Sequence, residues 1–171
     1  MKRFISCIIL FVFIVGLMPF NVFAALSDIV VENGFLKYAV NAQTGRFTIE
    51  TTEGMPNKRK DNNKPLLFLD DTPDTSFTTI RINGKDYMFG NDYGFMGTGG
   101  NMVRSPFRSG EKVITIWQVE GIEITQTLTL ISDVSNIDCG NVRVSYSIKN
   151  TNQEDVSIGS RILLDTMLGP N

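Results

Sequence analysis

Ile122-Glu123-Ile124-Thr125-Gln126-Thr127-Leu128-Thr129-Leu130 alternates residue by residue, and so does Val142-Arg143-Val144-Ser145-Tyr146-Ser147-Ile148-Lys149 a loop later. Side chains on a strand point to opposite faces with a period of two, so each segment offers one mostly apolar face and one polar face. Two long half-buried strands therefore present matching faces to one core. Working outward, Val113 to Val119 has apolar residues on both faces, Ile114 and Ile116 on one and Val113, Trp117 and Val119 on the other, which predicts a central strand covered on both sides. Glu120-Gly121 turns it into the strand at Ile122, and Asn150 to Asp155 is a polar turn into Val156 to Leu164. Lys112 to Leu164 thus reads as four consecutive antiparallel strands.

Upstream, Ile29 to Glu32 and Phe35 to Val40 flank Asn33-Gly34, and Thr78 to Ile82 and Lys85 to Phe89 flank Asn83-Gly84. Both pairs are hairpin signals, because Asn and Gly tolerate the positive φ of a type I′ turn. Arg46 to Glu50 alternates with Phe47 and Ile49 facing in, and Leu66 to Leu69 reads as a short buried strand. No segment beyond the N-terminal apolar run has helical apolar spacing over three turns, and turn signals recur about every ten residues. The expected fold is all-β, an antiparallel two-sheet β-sandwich.

The first 24 residues read differently. Lys2 and Arg3 precede an uncharged apolar run, Pro19 breaks it, and Val22-Phe23-Ala24 has the small residues that a signal peptidase reads. The run from Phe4 to Phe20 is at or below the roughly 17–25 residues of a spanning helix, so residues 1–24 are expected to be a cleaved signal helix rather than an anchor. Residues 25–171 then form a single domain of 171 − 24 = 147 residues, secreted or held in the cell envelope. Its charge is 14 − 18 = −4, a poor match for nucleic acid. Cys7 leaves with the leader, so Cys139 has no internal disulfide partner; it reads as a small buried side chain or as an intermolecular link. Gly169-Pro170-Asn171 are turn residues where another strand is due, and the expectation is that the domain is cut short at its C-terminal end.

Three stretches offer a functional reading beside a plain one. Lys58-Arg59-Lys60 is a solvated loop or a contact for an anionic polymer. Asp70, Asp71 and Asp74 form a charged turn or hold calcium, without the spacing of an EF-hand. The loop from Gly90 to Asn101 is rich in Gly, with Tyr93 and Phe95 between; these rings either stack on a sugar or tuck inward, and Trp117 is either a sugar platform or core. Tyr93, Phe95 and Trp117 are the ligand-binding candidates. No catalytic constellation, metal-ligand motif or cofactor motif is legible.

Asn33 to Asn41 with Thr44 to Ile49 resembles the opening strands of galactose-mutarotase-like supersandwich domains, and Ile124 to Leu130 followed by Val144 to Thr151 looks like their middle. The resemblance implies kinship with sugar epimerases and with non-catalytic N-terminal domains of glycoside hydrolases and phosphorylases. Mutarotase chemistry uses a histidine as acid beside a carboxylate base, and this chain contains no histidine. A glycosidase needs only two carboxylates, but no spacing singles out a pair among Glu111, Glu120, Glu123 and Asp165. The reading is a secreted, non-catalytic domain that binds glycan or supports a surface module. The alternatives are an accessory domain of a longer carbohydrate-active enzyme and a structural repeat of a bacterial surface protein.

Overall fold

A computed structural model describes residues 27–52, 62–67, 76–91, 97–132 and 140–167. The described part is all-β, with ten strands in three antiparallel sheets. The long sheet holds β6 (Asn101–Ser109), β7 (Lys112–Val119), β8 (Ile122–Ser132) and β9 (Gly140–Asn150), in that order. One short sheet is β1 (Ile29–Glu32), β2 (Leu36–Val40) and β3 (Phe47–Thr51). The other is β4 (Phe77–Ile82) between β5 (Lys85–Met88) and β10 (Ile158–Leu163).

The alternation in β8 sets the layers. Ile122, Ile124, Gln126, Leu128 and Leu130 are all buried, and β7 answers with Val113, Thr115, Trp117 and Val119 on the same face. Toward one end of that face Val113, Leu128 and Leu130 pack with Val31, Tyr38, Val40, Phe47 and Leu67. Toward the other end Trp117, Val119, Ile122 and Ile124 pack with Ile80, Ile82, Tyr87 and Phe89. Both short sheets therefore cover the same face of the long sheet, one beyond the other along its strands. Each buried aliphatic or aromatic side chain contributes about 1.5–3 kcal/mol, so two modest cores are tied into one body by strands long enough to serve both.

Where the two cores meet, the long sheet turns polar. Thr115 and Gln126 are cross-strand partners there, 0 % and 2 % exposed. Gln126 Nε2 donates to the Tyr146 hydroxyl at 2.9 Å, and Arg46 Nη2 donates to Asn91 Oδ1 at 2.8 Å, joining the β2–β3 turn to the end of β5. Gly45 and Gly90 sit at this junction with positive φ, where a Cβ on Gly90 would run into the backbone of Thr44.

Several expectations need correction. The strands share three sheets rather than two, because the face of the long sheet is divided between two short ones. The fourth strand of the Lys112 to Leu164 series leaves it: β10 pairs with β4, and the long sheet takes β6 on its other edge. Sequence alternation is blind to that choice, since β10 is apolar enough for either partner, while Pro106 and two register shifts around Arg104 hide the strand character of β6. β7 is central in its sheet, but Ile114 and Ile116 remain partly exposed. Asn83 and Gly84 both have positive φ, as a type I′ turn requires; Asn33 and Gly34 do not. Their hairpin closes instead through Asn33 Oδ1, which accepts from the N–H groups of Phe35 and Leu36. In the predicted strand at Leu66, Leu67 is buried and makes a single bridge to Thr166, whereas Leu66 is exposed. Residues 1–24, expected to be a signal helix, and Lys58 to Lys60, Asp70, Asp71, Asp74 and Cys139 lie outside the described residues.

Candidate functional site

Of the three ligand candidates, Tyr93 and Phe95 also lie outside the described residues. Trp117 is 0 % exposed. Its ring lies 5.5 Å from that of Phe89, centroid to centroid, and its Nε1–H donates to the carbonyl of Asn91 at 3.2 Å. An indole with both faces packed and its one donor satisfied has no ring surface left for a sugar, so the core alternative is the one that the packing supports.

The open face of the long sheet gathers other side chains. Antiparallel pairing sets Phe107, Ile114, Thr127 and Ser145 in one row across four strands, and Arg104, Ile116, Thr125 and Ser147 in the next. Lys112, Thr129 and Arg143 lie on one side of these rows, and Gln118, Glu123 and Lys149 on the other. The register shifts of β6 create the key contact: they bring Arg104 and Phe107 onto one face, with the guanidinium carbon 3.5 Å from the ring centroid. Stacking on an aromatic face fixes the plane of a guanidinium and leaves its N–H donors directed outward, a preorganised fork for a carboxylate or phosphate.

The charges on this face are unequal. Arg104, Lys112, Arg143 and Lys149 stand against Glu123, whereas the whole chain carries a formal −2. Four hydroxyls, from Thr125, Thr127, Ser145 and Ser147, lie between them and can both donate and accept. Such a surface can hold an extended, polyhydroxylated anion by many modest contacts. It holds no visible acid–base pair, since Glu123 is its one carboxylate among the described residues.

Other polar features resolve into structure. Arg81 and Asp86 form a two-pronged ion pair at 2.6 and 2.9 Å over the groove beside Gly159, and the hydrogen bond from Arg81 holds the Asp86 carboxyl below its usual range. Burial pushes the Tyr38 hydroxyl up to about 12 and raises those of Tyr146 and Tyr87. Tyr38 donates toward the carbonyls of Leu128 and Glu111, and Tyr87 to Glu120 Oε1, so these groups brace strands and turns. Among the described residues no group of three His, Cys, Asp or Glu could hold a metal ion, and no helix is long and apolar enough to cross a membrane.

The sequence marked Thr125, Thr127, Ser145 and Ser147 as a polar face without singling out a site on it. The signal that could have found one is the apolar pair Ile114 and Ile116 on the same side as those hydroxyls. Comparison of the chain with protein-family models, with curated proteins and with solved structures finds no match.

Proposed function

We propose that the chain is an exported, non-catalytic β-sandwich domain that binds an acidic polysaccharide across the open face of its long sheet. In this reading the two short sheets together form one layer and the long sheet the other. The observation that carries it is Arg104 stacked on Phe107 beside two rows of hydroxyls, on a face where cations outnumber anions. A sheet face four strands wide suits a chain of sugar rings, whose hydroxyls meet Thr and Ser while a uronate or phosphate meets the guanidinium. The leader-like residues 1–24 support export, and the resemblance to galactose-mutarotase-like domains supports a carbohydrate setting without the histidine-dependent reaction.

Affinity electrophoresis tests the reading. Gels containing polygalacturonate should retard the protein more than gels containing neutral dextran, and added salt should reduce the retardation. Arg104→Ala should abolish most of it while the protein stays folded. Equal mobility in the two gels, or unchanged retardation of Arg104→Ala, would remove this face from consideration.

A further inference from the structure

Among the described residues β10 is an edge strand, and it ends in three consecutive exposed apolar residues: Ile162, Leu163 and Leu164 are 42 %, 49 % and 48 % exposed. On its other side the chain is bonded from Ser157 to Met167. Ser157 exchanges hydrogen bonds with Asn83, residues 158–163 pair with β4, the Asp165 N–H donates to Ser76 Oγ, and the Met167 N–H donates to the Leu66 carbonyl. The odd-numbered residues therefore direct their backbone groups toward β4 and its neighbours. Ser160, Ile162 and Leu164 turn theirs toward the open side.

The faces are equally uneven. Ile158, Ser160 and Ile162 stand opposite Ile82, Ile80 and Thr78, which are buried, so this row faces the core. Thr78 already meets Tyr146 on β9, the edge of the long sheet, at 2.6 Å. β10 lies one strand further out and overhangs that edge, which leaves the core-facing Ile162 partly uncovered. An apolar edge with free backbone groups is a template for strand pairing, and nothing in the residues 162–164 blunts it with charge or proline.

We propose that this edge pairs with the same edge of a second copy, antiparallel and in the register that sets Leu163 opposite Leu163. The charges select that register. It places Arg161 opposite Asp165 of the second copy, and Asp165 opposite Arg161, so two ion pairs flank the apolar centre. Centred on Arg161, the pairing would oppose two cations; centred on Ile162, it would leave Arg161 facing a leucine. The backbone agrees as well: Ile162 and Leu164 fall opposite each other's copies as hydrogen-bonded pairs. Leu163 with Leu163 and Arg161 with Asp165 fall at the non-bonded positions, where side chains approach most closely. The two β10–β4–β5 sheets merge into one of six strands, and Ile162 and Leu164 from both copies cover each other beneath it.

Sedimentation equilibrium of the purified protein is expected to give the mass of two chains at micromolar concentration. Arg161→Asp and Asp165→Arg should each weaken the dimer by roughly tenfold or more, because each turns two attractions into two repulsions. The double variant should restore it. Asp165→Arg is the cleaner single change, since Arg161 also lies within electrostatic reach of Asp86. Both side chains are exposed, and unchanged circular dichroism will show that the variants fold. A wild-type monomer at these concentrations overturns the proposal, and so does a dimer indifferent to the single reversals or not restored by the double one.

Discussion

The hydroxyls of Tyr146 and Thr78 lie 2.6 Å apart and join the edge strand of the long sheet to the central strand of a short one. Gln126 Nε2 also donates to the Tyr146 oxygen, so one phenol serves two layers and two strands at once. Tyr146→Phe removes a partner from both neighbours, and the Gln126 amide is buried away from water. The expected loss is about 1–3 kcal/mol, read as a lower urea midpoint. An unchanged midpoint would show that neither neighbour depends on that hydroxyl.

The protein has a single tryptophan, which makes Trp117 its own reporter. Its emission should be blue-shifted, resistant to iodide quenching and unchanged when polysaccharide is added. Trp117→Ala should cost about 3–5 kcal/mol, as large core truncations do. A fluorescence change on ligand addition would mean that binding reaches the core or the loop above it.

Arg104→Lys keeps the charge but loses the planar fork that Phe107 holds in place. Its retardation in the acidic gel should lie nearer to that of Arg104→Ala than to that of the native protein. Full retention by the lysine variant would reduce the role of Arg104 to net charge.

Gly84 and Gly90 have nearly the same positive φ, 84° and 85°. A methyl group on Gly84 meets open space, while one on Gly90 meets the Thr44 backbone. Gly84→Ala should cost roughly 1–2 kcal/mol from left-handed strain alone. Gly90→Ala should lower the melting temperature clearly further, because a backbone cannot step aside as a side chain can. Equal melting temperatures would place the β2–β3 turn further from Gly90 than described.

Stability should fall as the pH rises above 10. The Tyr38 hydroxyl titrates near 12 in the fold and near 10 in an unfolded chain, so between these values the unfolded state releases the proton first. The contribution is complete below pH 10 and disappears toward pH 12; Tyr146 and Tyr87 act in the same direction. Melting temperatures measured from pH 8 to 11 should drop less steeply in Tyr38→Phe. A parallel drop in the two proteins would exclude Tyr38 as a source.

The long strands were legible because alternation over nine residues allows one burial pattern, and Ile122 to Leu130 and Val142 to Ile148 obey it. The turn at Asn83-Gly84 was legible for the same local reason. What escaped was every choice between partners: β10 crosses to β4 rather than joining β9, and pairing across that distance leaves no periodic trace. The stacked Arg104 and Phe107 escaped because a bulge, not a period, places them together. Trp117 could be read as core from its apolar neighbours, whereas its bond to Asn91 needed the fold.

The pairing of β10 with β4 also sets a timetable. Residues 77–82 leave the ribosome well before residues 158–163 exist, so the β4 edge stays open while the whole long sheet is being made. Closing a loop of that length costs chain entropy before any contact rewards it, and all-β folds dominated by such distant contacts typically fold in about milliseconds to seconds. A nascent chain carries Ile80 and Ile82 beside an unfilled edge until β10 arrives, and in that interval it is most exposed to wrong partners.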